Sequence, residues 1–333
     1  MKGSAQASRI PSPAFSIIVP TYQRRDMVCD AVRALGRLTY DGPIETIVVV
    51  NGSTDGTADA VARLDCPWPL RVIVLQPNRG PAAARNRGGG EATGDILLFL
   101  DDDMICEPDI LQHHARLHGS GADVVTGEIP IHPGSDPGLI TDALKKAAAW
   151  KREPRGTAFD LYSGHFSIRK QLFREVGGFD EEFGSRGGHG GEDLDLGVRL
   201  SGFDLRHSAE AVAWQKNLIS PSEHMKRAQQ LAAADLWLIA KHPELTAKLL
   251  HARGAPSKVE TSLAFRLSQV PLLPHITGAA ASWVAEIARG TRFGSSTLLA
   301  RLYFTARSIS YWSAFQTRDG KTILRNQQLR LER

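Results

Sequence analysis

Apolar residues in the first two thirds of the chain follow two kinds of pattern. Short apolar-rich runs predict buried strands, because a strand without polar alternation must have both faces covered. Between these runs, apolar residues recur every three or four positions and predict amphipathic helices. The predicted strands are Phe15–Val19, Glu45–Val50, Arg71–Leu75, Asp95–Leu100, Asp123–Glu128 and Ser163–Arg169. The predicted helices are Met27–Leu38, a helix ending at Leu64, Pro81–Ala92, Pro108–His118, Gly138–Trp150 and Lys170–Val176.

This alternation of strands and helices predicts an α/β protein with a parallel, doubly wound sheet. From about Ser222 the composition shifts to Ala, Leu, Lys and Arg with helical periodicity, as in Ala228–Lys241 and Thr297–Ser313. We therefore expect a helical C-terminal region, 220–333, whose helices either pack on the sheet domain or offer a membrane-surface or partner-docking face. The first 13 residues are rich in Ser, Ala and Pro and predict a disordered tail.

Composition and charge narrow the class of protein. A chain of 333 residues can build a core without disulfides, and its three scattered cysteines lack metal-ligand spacing, which favours a reducing compartment. The sequence has no signal-peptide run and no apolar stretch of membrane-spanning length. We therefore expect a cytoplasmic protein, at most peripheral at the inner face of the membrane. The net charge of +4 is spread without aromatic interleaving, which argues against a nucleic-acid partner.

Two groups of acidic residues are the candidates for catalytic or metal-binding roles. Asp101, Asp102 and Asp103 follow the strand that ends at Leu100, and the carboxyl edge of such a sheet is where ligands bind. The three acids are either a site for a hard divalent ion carrying a phosphate or a solvated acidic turn. Glu192 and Asp193 follow a glycine-rich loop, 177–191, and open a helix, where they are either helix-capping acids or a general base delivered by the loop.

The ordered set of motifs resembles the family 2 glycosyltransferases of the GT-A fold. The resemblance covers about 15–215 and implies a Rossmann-like, mostly parallel sheet within a catalytic domain, 14–219, followed by the helical extension. Its nucleotide-sugar half is about 14–104 and its acceptor half about 105–219. The motifs that carry the resemblance are Val19–Tyr22, Asn51–Gly56, Asn78–Asn86, Asp101–Asp103, Val176–Glu181 and Gly191–Asp193.

The resemblance implies an inverting, metal-dependent enzyme of the hexosyltransferase type. It would move a sugar from a nucleoside-diphosphate sugar to a hydroxyl of a glycan, a lipid-linked sugar or a natural product. Asp193 is the expected base, with Glu192 as its rival or as an acceptor ligand. Asp103 is expected to hold Mn²⁺ or Mg²⁺, Asp101 the ribose directly or through water, and Asp102 to be a tolerant spacer. The residues expected around the nucleotide are Pro20, Thr21, Tyr22, Asn51 and Arg85.

Two departures from the family pattern bear on these roles. Many relatives carry an acidic pair where Val50 and Asn51 stand, and Asn offers a donor where Asp offers only acceptors, so UDP is expected less firmly as the nucleotide. Many relatives also carry a metal-binding histidine where this chain has Trp214 and Gln215. Gln215 or one of three histidines could complete the metal shell, or Asp103 and phosphate could hold the ion alone. Those histidines are His165, His189 and His207, whereas His113, His114 and His118 are expected to be solvated.

Two other functions compete with this interpretation. The departures at Asn51 and Gln215 also fit a catalytically degenerate protein that binds a sugar nucleotide or acts as a scaffold. A sugar nucleotidyltransferase would share the sheet and the metal chemistry. It would need a glycine-rich, basic loop directly after the first strand, where Pro20, Thr21 and Tyr22 stand instead.

Overall fold

The computed structural model describes residues 12–135, 141, 161–185, 190–216, 219–246, 249, 264–287, 297–317 and 320–322. Its strands are β1 (Phe15–Thr21), β2 (Ile44–Asn51), β3 (Leu70–Leu75), β4 (Ile96–Leu100), β5 (Met104–Cys106), β6 (Val124–Glu128), β7 (His165–Arg169) and β8 (Leu205–Gln215). Its helices are α1 (Arg25–Leu35), α2 (Thr57–Ala62), α3 (Gly80–Glu91), α4 (Ile110–Gly119), α5 (Lys170–Glu175), α6 (Glu182–Ser185), α7 (Glu192–Arg199), α8 (Pro221–Lys241), α9 (Leu273–Ile287) and α10 (Thr297–Ala314). The predicted helix 138–150 lies outside the described residues except for Thr141, and so do residues 1–11 of the predicted tail.

The eight strands form one sheet in the order β3-β2-β1-β4-β7-β6-β8-β5. Strands β3, β2, β1 and β4 run parallel, as do β6 and β8, whereas β7 is antiparallel to both of its neighbours and β5 is antiparallel to β8. The predicted sheet is therefore confirmed as mostly parallel. The sequence interpretation did not list β5 as a strand and placed β8 only as a strand near Val212.

Helices cover both faces of the sheet, and this explains the unalternating strands. Along β1, Ile17 and Val19 point to a cluster with α1, α2 and α4, while Ile18 belongs to a second cluster with α3, α5 and α7. Phe99 on β4 belongs to that second cluster and packs against the rings of Phe166, Phe173 and Phe179. Both faces of the sheet are buried under helices, as the apolar runs predicted.

The C-terminal helices build a core of their own. Leu238 on α8 packs with Tyr311 and Trp312 of α10 and with Phe315 just after it, and Leu194 of α7 belongs to the same cluster. The helical region therefore packs directly on the helix that carries the candidate base. Within the described ranges, no helix combines the length and the apolar character needed to cross a membrane.

Two histidines of α4 are buried, so the expectation that they are solvated is wrong. His114 is 0% and His118 is 3% exposed, because their face of α4 packs on the sheet. Ser167 on β7 lies between them, 2.7 Å from His114 Nδ1 and 2.8 Å from His118 Nε2. His165 completes the cluster, with its Nε2 3.0 Å from His114 Nε2. Desolvation lowers the pKa of His118 and of His165 to about 4 in each case.

Candidate active site

The carboxyl ends of β1, β2 and β4 meet at one edge of the sheet because these strands are parallel and adjacent. After Leu100 the chain turns sharply, with the amide of Met104 donating to the carbonyl of Asp101 at 3.2 Å. Backbone bonds anchor the turn on both sides, from Asp101 N to Gly164 O at 3.1 Å and from Lys216 N to Asp103 O at 2.8 Å. The turn directs the three carboxylates toward different surroundings, so each has different hydrogen-bond and ion-pair partners.

Asp102 is tied into the protein. It is buried, and its two oxygens accept from Thr21 Oγ1 at 2.8 Å and from an Arg24 guanidinium nitrogen at 2.6 Å. Burial raises the pKa of this carboxyl, and Arg24 and Thr21 work in the opposite direction. These contacts argue against the expectation that Asp102 is a tolerant spacer, since removing its charge would deprive Arg24 and Thr21 of this acceptor.

Asp103 lacks such a partner at one oxygen. Its Oδ1 is buried and has no hydrogen-bond partner within the described part of the chain, while Oδ2 lies 3.6 Å from Arg24. Burial, followed by the charge of Asp101, raises the pKa of Asp103 to about 7. An orphaned, buried carboxylate oxygen beside a second carboxylate fits a divalent cation, because such oxygens are the ligands that Mg²⁺ and Mn²⁺ prefer.

The surroundings of Asp103 distinguish among the residues expected to complete a metal shell. The side chain of Gln215 lies beside Asp103 and works against the raised pKa of that carboxyl. His165 faces the histidine cluster instead, and His207 lies against Thr126 and Glu128. His189 is outside the described residues. Nowhere in the described ranges do three or more His, Cys, Asp or Glu side chains form a group able to hold a metal ion. The described protein groups thus offer only part of a coordination shell.

Arg85 joins the acids after β4 to those of α7. The side chain is 5% exposed, and its two terminal nitrogens donate to Asp101 at 2.7 Å and to Glu192 at 3.0 Å. The Arg85 guanidinium also lies over the ring of Phe179, 5.5 Å from the centroid. Burial opposes the charge of Arg85, and the two carboxylates outweigh burial, so that its pKa is raised. One buried cation therefore holds together two acidic segments that lie 91 positions apart in sequence.

The first turn of α7 presents two different carboxylates. Gly190 and Gly191 lead into it with φ of +88° and +93°, and a side chain at Gly191 would come within 2.9 Å of Phe183. Glu192 is buried against Arg85, and burial followed by Asp193 raises its pKa. Asp193 is only half-buried, and its Oδ1 accepts from the amide of Leu194 at 2.9 Å. The two rivals for the role of base thus differ in access and in partners.

Tyr162 is a site residue that the sequence analysis missed. Burial raises the pKa of its hydroxyl, followed by the negative charges of Asp101, Asp103 and Asp193, so its side chain lies among both groups of acids. The hydroxyl end of Tyr162 is desolvated, while the residue as a whole remains 40% exposed. Gly164 makes room for this arrangement, because a Cβ there would lie 2.5 Å from Tyr162 Cε1 and 2.7 Å from Asp101 Oδ2. The sequence signal was the glycine one residue before the strand.

The residues expected to hold the nucleotide base fall into two groups. Pro20 and Thr21 are buried within β1, while Tyr22 just beyond it is 48% exposed. Asn51 is committed locally, since its Nδ2 donates to Asn78 Oδ1 at 3.0 Å and to the carbonyl of Gly80 at 2.8 Å. Its Oδ1 accepts from the Arg79 amide at 3.0 Å. Both donors of Asn51 are thus used in fastening the start of α3.

A second charged cluster fixes α7 from the side of the helical region. Asp195 is fully buried, and Arg199 donates to it from the next turn at 2.9 Å. Lys241 Nζ lies 2.5 Å and His242 Nε2 2.9 Å from its other oxygen. Lys241 is the last residue of α8, and His242 follows it directly. The C-terminal region therefore holds α7, the helix that carries Asp193, in place through these charged contacts.

Comparison with known proteins shows which family the chain is similar to and which fold it shares. The model of "Glycosyl transferase family 2" matches residues 16–177. Validoxylamine A glucosyltransferase of Streptomyces hygroscopicus subsp. limoneus is 30% identical over 287 residues, covering 75% of this chain and 62% of that protein. Glycosyltransferase AglE of Haloferax volcanii is 31% identical over 184 residues, covering 53% of this chain and 59% of its own length. The chain thus spans about three fifths of the length of these relatives.

Among solved structures, a mannosyltransferase of Pyrobaculum calidifontis in complex with GDP-Man and Mn²⁺ matches with a TM-score of 0.54 and 19% identity, over 90% of this chain and 87% of the other. TarS of S. aureus matches with a TM-score of 0.53 and 18% identity, over 90% of this chain and 54% of the other. These likenesses concern the fold, and they confirm the predicted GT-A architecture.

Proposed function

We propose that this chain, whose residues 16–177 match the model of glycosyltransferase family 2, transfers a hexose from a nucleoside-diphosphate sugar to a hydroxyl acceptor, with inversion at the anomeric carbon. The observation that carries the proposal is the Arg85 bridge between Asp101 and Glu192. It brings the acids suited to a departing diphosphate and the acids suited to a nucleophile to one site, and Tyr162 lies among both.

Asp193 is the general base in this proposal. It takes the proton of the acceptor hydroxyl, whose oxygen attacks the anomeric carbon while the bond from that carbon to the diphosphate breaks. Glu192 is less suited, because it is buried and its Oε1 accepts a hydrogen bond from the buried Arg85. Glu192 instead keeps the first turn of α7 in position through Arg85. A single displacement from the face opposite the leaving group inverts the configuration.

Asp103, with Gln215 beside it, is the group that would hold Mn²⁺ or Mg²⁺. The ion would neutralise the charge that develops on the departing diphosphate. The orphaned Oδ1 of Asp103 supports this assignment. The partial set of protein ligands suits an ion that arrives with its phosphates, since Mg²⁺ is commonly bound by one or two carboxylates plus substrate phosphate oxygens. The Mn²⁺ named with the Pyrobaculum enzyme agrees with this choice.

The nucleotide and the acceptor are proposed from the ligands of related proteins and from the surroundings of Tyr22 and Asn51. TarS has been crystallised with UDP and with UDP-GlcNAc, and the Pyrobaculum enzyme with GDP-Man, so both uracil and guanine nucleotides occur on this fold. We propose UDP first, with exposed Tyr22 rather than Asn51 facing the base, because both donors of Asn51 are already used. The name of the Streptomyces relative describes glucosyl transfer to validoxylamine A, which supports a hexose as the transferred sugar.

A donor panel tests the proposal. The protein is incubated with UDP- and GDP-hexoses, with and without Mn²⁺, and released nucleoside diphosphate is measured together with donor binding by calorimetry. We expect slow, Mn²⁺-stimulated hydrolysis of one UDP-hexose, reduced in Asp193→Asn with donor affinity retained. Donor binding without turnover, unchanged by Asp193→Asn, would favour the degenerate binding protein. Absence of binding to every donor with and without metal would refute the transferase.

A further inference from the structure

Exposed apolar side chains are concentrated on two helices of the C-terminal region. Twelve large apolar or aromatic side chains are strongly exposed in the described part of the chain, and eight of them lie between residues 270 and 302. Trp283 is 68% and Ile276 62% exposed, and Leu298 on α10 reaches 66%. Single exposed apolar residues are normal on protein surfaces, whereas a concentration of this kind marks an interaction site.

The exposed residues of α9 form one stripe. Ile276, Ala280, Trp283 and Ile287 recur every three or four positions and are all exposed, so they share the outer side of the helix. The inner side is built from smaller residues that include Gly278, where an added Cβ would lie 3.2 Å from Met225 and 3.1 Å from Ser310. This helix thus packs on α8 and α10 through small side chains and presents its large ones outward, the reverse of an ordinary surface helix.

The first turns of α10 extend the stripe. Leu298 and Leu302 are four residues apart and exposed at 66% and 58%. Tyr303 and Ala306 of the same helix pack with Ala285 near the end of α9, so the start of α10 adjoins that end. The outer apolar face therefore consists of Ile276, Ala280, Trp283, Ile287, Leu298 and Leu302.

Charge is distributed unevenly between the two regions. Residues 220–333 contain 16 Lys and Arg against 7 Asp and Glu, whereas residues 1–219 contain 24 against 29. The helical region thus carries a net charge of +9 and the catalytic region −5. Near the face itself, Arg301 is exposed between Leu298 and Leu302, and Glu286 is exposed beside Ile287. A cationic unit that displays an apolar face attracts an anionic surface that can also accept apolar side chains.

We propose that the outer apolar face docks on the surface of an anionic lipid bilayer. The face would lie in the interface with its leucines and isoleucines among the acyl chains and the amphipathic ring of Trp283 at headgroup level. Lys and Arg of the same region supply the attraction to anionic headgroups. The proposal goes beyond the transferase chemistry and does not depend on which donor or base is used.

Sedimentation with vesicles tests this docking. The full chain is mixed with vesicles of pure phosphatidylcholine, or of phosphatidylcholine with 30% phosphatidylglycerol, at low and at high salt. We expect at least tenfold tighter binding to the anionic vesicles, weakened severalfold by salt. The double variant Ile276→Gln with Trp283→Gln should bind at least tenfold more weakly and keep its melting temperature, because both side chains are exposed. Phe203→Gln, which removes an exposed ring 42% accessible on the catalytic region, is the matched control and should bind like the native chain.

Three results would overturn the proposal. The first is equal or absent binding to both kinds of vesicle, and the second is binding that the double variant leaves unchanged. The third is a stable dimer by light scattering that the double variant dissociates, because the face would then join two copies of the chain. If the double variant does not fold, Leu298→Gln with Leu302→Gln on α10 provides the same comparison.

Discussion

The acidic edge after β4 and the first turn of α7 solve the same electrostatic problem in the same way. Each presents adjacent carboxylates, and in each an arginine from another part of the fold takes one of them. Arg24 binds Asp102 and leaves Asp103 Oδ1 without a described partner, while Arg85 binds Glu192 and leaves Asp193 half-buried at the site. Neighbours in sequence therefore differ in function, because a buried carboxylate paired with arginine is structural and its neighbour is left for a ligand.

The two regions differ in how deeply the arginine is buried. The Arg85 side chain is 5% exposed and holds two carboxylates, whereas Arg24 is 31% exposed and forms its short contact with Asp102 alone. The Arg85 bridge is thus shielded from water and from salt, and the Arg24 pair is only partly shielded. The edge after β4 is expected to tolerate change better than the junction with α7.

The largest expected effect separates Asp193 from Glu192. We expect Asp193→Asn to lower kcat by about 10³-fold, within the range for general-base loss, with the donor Kd unchanged. Glu192→Gln is the matched comparison and should lower kcat less while lowering the melting temperature more, since it removes a partner of Arg85. Steady-state kinetics and thermal unfolding measure both. A greater loss of kcat in Glu192→Gln would exchange their roles.

Replacing each arginine tests the difference in burial. Arg85→Met leaves Asp101 and Glu192 without their shared cation and should cost about 3 to 5 kcal/mol of unfolding free energy. Arg24→Met breaks a more exposed pair and should cost about 1 kcal/mol. Urea unfolding of the two variants gives both values. Equal costs would show that the Arg85 bridge gains nothing from its burial.

Substituting Asp103 should mainly affect metal-dependent donor binding, whereas substituting Asp102 should mainly affect the free energy of unfolding. Asp103→Asn should weaken Mn²⁺-dependent donor binding about tenfold, equal to about 1.4 kcal/mol, with little loss of stability. Asp102→Asn should lower the unfolding free energy by about 1 to 2 kcal/mol, because Arg24 and Thr21 lose a charged acceptor. Calorimetry with and without Mn²⁺, followed by unfolding, separates them. If Asp102→Asn had the larger effect on metal-dependent binding, the division of labour proposed for this edge would be wrong.

The histidine cluster is a buried polar group, and its contribution to stability should vary with pH. The folded pKa of His118 is about 4, below the 6.5 of an ordinary histidine, so the unfolded chain binds the proton more readily. The contribution is complete above pH 6.5 and is lost as pH falls toward 4.

The same pH range contains an opposing group. The pKa of Asp103 is raised to about 7, so this carboxyl favours the folded chain at low pH and that contribution is lost as pH rises through 7. The two effects are separated by comparing the native chain with His118→Gln from pH 7.5 to 5 by urea unfolding. We expect the variant to lose less stability on acidification. Parallel curves would mean that His118 does not titrate across this range.

Much of the fold followed from local pattern. The predicted strand 95–100 is observed as Ile96–Leu100, and the predicted helix 81–92 as Gly80–Glu91, because covered strands and Pro-initiated helices leave strong local signals. Strand β5 was missed because three residues are too few to show a period. Asp101 and Thr21 could be placed at one edge from sequence, since adjacent parallel strands end on the same side.

The sequence by itself determined the family resemblance, the mostly parallel sheet and the two acidic groups, because strand pattern and motif order are local properties. Only the tertiary structure decided which acid of each group is paired. Arg24 and Arg85 reach Asp102 and Glu192 from 78 and 107 positions away in the chain. It also decided that His114 is buried, that the amide donors of Asn51 are used within the protein and that Tyr162 lies at the site. Each of these outcomes depends on which distant groups share a desolvated space, and such contacts leave no periodic signal in the chain.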